Sequence, residues 1–198
     1  MQQPIGFFDS GIGGTSIWKE VIELLPNENT IYLADSLNAP YGEKSKDRII
    51  ELCLKNTELL INKNCKLIIV ACNTATTNAI DILRKTYDIP FIGIEPAIKP
   101  AALFSKTSAI GILATKGTLS SALFEKTTQE YAKNITTIEQ DGEGLVPLIE
   151  AGKLHSKEVE NLLVKFLKPM LKFNIDHLVL GCTHYPYLIP QIKEIIGE

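Results

Sequence analysis

The chain has 198 residues, 45% of them hydrophobic and 22% charged, with a formal net charge of −3. That is apolar material for one large α/β domain or two modest ones, and the charge balance carries no basic excess of the kind that draws a protein onto phosphate backbones. No run approaches the roughly 20 apolar residues that cross a bilayer, and Met1-Gln2-Gln3-Pro4 leads into a strand-like segment rather than a charged-then-apolar leader.

These features point away from nucleic acid and membrane partners and toward the cytoplasm, where the four cysteines Cys53, Cys65, Cys72 and Cys182 are not expected to pair. In chain order, a first strand, Pro4 to Phe8, opens into Asp9-Ser10-Gly11-Ile12-Gly13-Gly14-Thr15 ahead of an apolar stripe of Ile17, Trp18, Val21, Ile22 and Leu25. The backbone N–H groups of such a loop suit an anion. A nucleotide-binding regulator is a weak reading, because Ser16 stands where GxGxxG needs glycine and the P-loop lysine is missing. Asp9 reads either as a turn and helix cap or as an acid placed to act on a cleft thiol. A second strand, Thr30 to Ala34, ends at Asp35; the turn Asn38-Ala39-Pro40-Tyr41-Gly42-Glu43 then becomes a candidate pocket wall.

A helical pattern from Lys46 to Asn62 holds Cys53, and Cys65 precedes the third strand, Lys66 to Ala71; neither has neighbours that suggest chemistry, and both read as structural. The third strand delivers Cys72 to a helix start at Asn73-Thr74, where the macrodipole and nearby N–H groups favour a thiolate. Strands follow at Pro90 to Gly93, Ala109 to Leu113, Ile135 to Glu139 and Asp176 to Leu180, the last after a stripe of Val159, Leu162, Leu163 and Phe166. It ends at Gly181-Cys182-Thr183-His184-Tyr185-Pro186, where His184 is placed to polarise the Cys182 thiol or take its proton. Cys182 and His184 alone are too few for a structural zinc site.

Strand-like runs separated by amphipathic stretches make the fold class α/β. A weak internal repeat adds organisation. Ile5-Gly6-Phe7-Phe8 matches Ile110-Gly111-Ile112-Leu113, and Ile68-Ile69-Val70-Ala71-Cys72 matches Leu178-Val179-Leu180-Gly181-Cys182. Gly6 to Cys72 spans 66 positions (72 − 6) and Gly111 to Cys182 spans 71 (182 − 111). The expectation is two similar α/β domains with parallel-type sheets facing each other across a cleft, 1–95 and 96–198, with the boundary where Pro96 and Pro100 interrupt the pattern. Ligands gather at the carboxyl ends of parallel strands. One cysteine from each side of a shared cleft suits a reaction that runs on both faces of a carbon.

The motifs DSGIGG (9–14), APYG (39–42), VACNTAT (70–76) and LGCTHYP (180–186), in that order, resemble the glutamate racemase family of the aspartate/glutamate racemase superfamily. The resemblance covers the whole chain, including Ile92 to Pro96 and Gly144 to Glu150. It implies two α/β domains with a cysteine from each flanking glutamate and no cofactor, Cys182 taking the proton of L-glutamate and Cys72 that of D-glutamate. It further implies that Asp9 assists Cys72, that His184 with Glu150 assists Cys182, and that Ser10, Tyr41, Gly42, Asn73, Thr74, Thr118 and Thr183 hold the substrate. The product would feed cell-wall peptidoglycan, and a homodimer is the expected association. Rival readings are a related two-cysteine racemase for aspartate or hydantoins, and a glutamate-binding protein without turnover. Family members continue beyond the helix after LGCTHYP, so a chain ending at Ile196-Gly197-Glu198 is expected to leave an unpaired edge on its first sheet and to be less stable than a longer version.

Overall fold

A computed structural model describes residues 3–197; Met1 and Gln2 of the expected lead-in, and the terminal Glu198, lie outside the described residues. The first half runs β1 (Ile5–Asp9), α1 (Thr15–Leu24), β2 (Thr30–Ala34), α2 (Lys46–Asn62), β3 (Leu67–Val70), α3 (Asn73–Thr86) and β4 (Phe91–Gly93). The second runs α4 (Ile98–Phe104), β5 (Ala109–Ala114), α5 (Lys116–Leu119), α6 (Ala122–Tyr131), β6 (Thr136–Asp141), α7 (Leu145–Glu150), α8 (Lys157–Leu171), β7 (His177–Gly181) and α9 (Ile189–Ile196). All seven expected strands form, with ends displaced by a residue or two. Pro100 does not break the chain. It sits in the first turn of α4, where a missing N–H costs nothing.

The strands make two parallel sheets, ordered β2-β1-β3-β4 and β6-β5-β7. Side chains alternate across the first. Ile5 and Phe7 pack with Ile17, Trp18 and Val21 of α1, whereas Phe8, Ile68 and Val70 pack under α2 and α3 with Leu52, Cys53 and Leu83. The second sheet is likewise covered on both faces, by α4 and α6 on Ile110 and Ile112 and by α7, α8 and α9 around Leu113. Burial on both faces is why the central strands β1, β3 and β5 read as apolar runs rather than alternations. Helix α1 is the thinnest cover, since none of its residues is fully buried. Among the described residues, β2 and β4 flank the first sheet, and no helix is long and apolar enough to cross a membrane.

The repeat is visible in the pairing register. Gly6 pairs with Ile68, and Gly111 with Leu178; each cysteine then follows its strand residue by four positions. A side chain on Gly6 would meet Cys65 Sγ at 2.9 Å, and one on Gly111 would meet Ile175 Cδ1 at 2.8 Å. Cys65 therefore fills in one half the space that isoleucine fills in the other.

Candidate active site

The carboxyl ends of the two sheets meet around one cavity of about 10 Å³, room for about one water. Ser10, Tyr41, Gly42, Cys72, Asn73, Thr74, Cys182, Thr183 and His184 line it, together with Pro40, Thr115 and Val146. A wider opening of about 270 Å³ adjoins it, bordered by Glu43, Lys116, Asp141 and Glu143.

Cys72 caps α3. Its Sγ accepts from Ala75 N at 3.5 Å and donates toward Ser10 Oγ at 3.9 Å. Asp9 ends β1 fully buried, accepting from Gly11 N at 2.9 Å and from Thr183 Oγ1 of the opposite half at 3.2 Å. It is not a helix cap, since Gly14 takes that place at α1 without a side-chain bond. Cys182 Sγ lies 3.8 Å from His184 Nδ1, and His184 Nε2 lies 2.5 Å from Glu150 Oε1. The imidazole is buried and Glu150 is 18% exposed.

Burial decides the electrostatics. It pushes the Cys182 thiol up to about 12, against the lowering pull of the backbone N–H groups of His184 and Tyr185. It raises Cys72 well above the ordinary thiol value, Asp9 adding to the effect and the Ala75 N–H opposing it. The helix start thus favours a thiolate as the sequence suggests, but desolvation outweighs it and both thiols stay protonated in the closed cavity. Asp9 is also raised, by burial first, although His184 and the bonds from Gly11, Gly14 and Cys72 lower it.

Thr118 joins the site through hydroxyl contacts with Thr74 at 3.2 Å and Thr115 at 3.1 Å, and Glu150 joins it through His184. Tyr41 is a wall rather than a donor. Its hydroxyl is engaged by Asp35 Oδ2 at 2.5 Å and by Asn56 Nδ2 at 3.0 Å. Asp35 and Asn56 hold this loop from behind. Cys53 lies in the core away from the cavity.

Thr115 was not foreseen, though the repeat marks it. It stands four positions after Gly111, as Ser10 stands four after Gly6. The same offset pairs Asp9 with Ala114, which carries no acid. The second half instead sets His184 and Glu150 beside its thiol, so the halves match in thiols and differ in the groups beside them.

Paired parallel sheets that turn like residues toward one enclosed cavity are the build of an amino-acid racemase. A profile of the Asp/Glu/Hydantoin racemase family matches residues 13–197. A glutamate racemase of Ralstonia pickettii is 47% identical over 197 residues, covering 100% of this chain and 70% of the relative. The structure superposes on Escherichia coli glutamate racemase in complex with L-glutamate and an activator, with a TM-score of 0.87 at 34% identity, covering 98% of this chain and 74% of that one. A Francisella tularensis glutamate racemase in complex with D-glutamate gives 0.86 at 34% identity, with the same coverages. The chain belongs to the Asp/Glu/Hydantoin racemase family.

Proposed function

We propose that the protein interconverts L- and D-glutamate without a cofactor, through proton transfer at Cα between Cys182 and Cys72. The observation that carries this reading is that two cysteines at equivalent positions of the two halves face one closed cavity. The choice of glutamate rests on relatives of that name, two of which hold its opposite enantiomers.

Cys182 as thiolate takes the Cα proton of L-glutamate, and the Cys72 thiol delivers a proton to the opposite face; D-glutamate runs the reverse. Raised thiols need a positive partner, and the substrate's ammonium group brings one into the cavity. His184, held by Glu150, takes and returns the Cys182 proton, and Asp9 does so for Cys72. Ser10, Asn73, Thr74, Thr118 and Thr183 hold the carboxylates and amino group, with Tyr41 and Gly42 as wall. Their donors face charge developing on the α-carboxylate in a site that excludes water, which stabilises a carbanion that has no cofactor ring to delocalise it. The domain division at 95/96, a cytoplasmic location, a homodimer and supply of D-glutamate to peptidoglycan belong to the same reading.

Incubation with L-glutamate in D2O tests it, with Cys72→Ala and Cys182→Ala alongside. Loss of optical activity with deuterium at Cα, abolished in both variants, is the expected result. Binding without exchange would leave a glutamate-binding protein. Faster turnover of L-aspartate than of L-glutamate would make it the related two-cysteine enzyme.

A further inference from the structure

The loop between β1 and α1 lies directly on the acid–base pair of the opposite half. Ile12 N donates to Glu150 Oε1 at 2.8 Å, and the same oxygen lies 2.5 Å from His184 Nε2. A Cβ on Gly11 would stand 1.9 Å from Glu150 Oε1, and one on Gly13 would stand 2.3 Å from His184 Nδ1. Neither glycine has a positive φ. Their backbone would accept any residue, so the constraint on both comes from a carboxylate and an imidazole that belong to the other half. Ser16 Oγ, which donates to Thr183 O at 3.3 Å, and a Thr15–Tyr187 hydroxyl contact fasten the same loop to the segment carrying His184.

We propose that Gly11-Ile12-Gly13 is a positioning element for Cys182: it seats Glu150, and through it His184, so that the second thiol's acid–base set is assembled only while the two halves are closed on each other. This rests on the two-thiol reading above. A carboxylate with two donors on one oxygen has its orientation defined from both sides, and losing the Ile12 donor leaves the Glu150 stem free to swing. His184 Nδ1 is both the atom facing Cys182 and the atom a side chain at position 13 would strike. The loop therefore acts on the second thiol through its partner groups, while Cys72 keeps its own contacts with Ala75 and Ser10.

The test compares the full chain with Gly11→Ala, Gly13→Ala, Glu150→Asp and the double variant Gly11→Ala/Glu150→Asp, whose shorter acid makes room for the added methyl. Four readouts are taken: kcat and KM on L-glutamate, the thermal midpoint, the imidazole NMR resonances of His155, His177 and His184, and iodoacetamide alkylation of Cys72 and Cys182 by mass spectrometry. Gly13→Ala is expected to lower kcat by about tenfold with a smaller change in KM, the scale of losing a partner that orients a working group. It should move the His184 resonances alone and change alkylation of Cys182 by about fivefold relative to Cys72. The shortened acid should restore about threefold of the kcat lost in Gly11→Ala. Unmoved His184 resonances, equal change at both thiols, or strictly additive variants would overturn the proposal. If the wild-type chain does not racemise glutamate yet His184 and Cys182 respond selectively, the positioning stands and the racemase reading falls.

Discussion

The Thr74 hydroxyl lies 2.7 Å from that of Thr115, so the start of α3 in the first half and the end of β5 in the second share a hydrogen bond across the cleft. Thr118 closes the set from α5. Three hydroxyls that satisfy one another can rotate together toward an incoming carboxylate without leaving a buried donor unpaired. Thr115→Val is expected to raise KM for glutamate about tenfold, ~1.4 kcal/mol, the worth of a hydrogen bond to a charged group. Initial-rate kinetics give the answer, and an unchanged KM would remove Thr115 from the site.

Burial of Asp9 bears on stability and, on the proposed reading, on turnover. Its pKa is raised in the folded protein, chiefly by burial, so the folded state prefers the neutral acid. That preference favours folding fully below the unfolded carboxyl value and is lost as pH rises through the folded one, above which the buried group carries a charge. Asp9→Asn, which has no proton to lose, should therefore flatten the fall in stability with rising pH while lowering kcat about a hundredfold. Urea midpoints across pH and turnover measured on one preparation test both halves of the statement, and parallel pH slopes for variant and parent would contradict it.

The same sign applies to the thiols on the alkaline side. Cys182 holds its proton up to about 12 in the folded chain against an ordinary value of 9.0, and Cys72 is raised too. Their contribution is fully present below the unfolded thiol value and is lost as pH rises from there through the folded one. The urea midpoint should fall between pH 9 and 12, the window set by Cys182. Cys182→Ala should flatten that decline, and identical slopes for variant and parent would show that the thiol is not the titrating group.

Cys53 offers a contrast. It sits on α2, fully buried in the core between the first sheet and α3, and burial followed by the Asp35 charge raises its thiol. Cys53→Ala should cost about 1 kcal/mol from the small void it leaves and keep kcat and KM within about twofold. Loss of turnover without loss of stability would assign Cys53 a role that its position does not suggest.

Most of this arrangement is legible from the sequence because both sheets are parallel with buried central strands, so β1, β3 and β5 announce themselves as apolar runs ending at a polar residue, whereas the edge strand β6 holds one apolar residue, Ile138. The thiols were legible twice, through their strand ends and through the repeat. Asp9 gave two readings, and the helix cap falls away because Gly14 takes that place at α1. Three things were hidden, for different reasons. Thr115 lacks a flanking motif and needs the repeat offset to be found. The hydroxyl of Tyr41 turns toward Asp35 and Asn56, a direction no local pattern encodes. The charge state of the thiols depends on their burial in the folded chain, whereas local sequence speaks only of the helix start that opposes it.

A chamber with room for about one water also has a history. Under the two-thiol reading, release of D-glutamate leaves Cys182 protonated and Cys72 ionised, the form that accepts D-glutamate rather than L-glutamate. On that reading the next L-glutamate must wait until both thiols regain their starting states. The protein therefore carries a record of the last enantiomer it made, and erasing that record is a step in the cycle distinct from breaking the Cα–H bond. At saturating substrate, the pace of that erasure sets a ceiling on turnover that no improvement in the chemistry can lift.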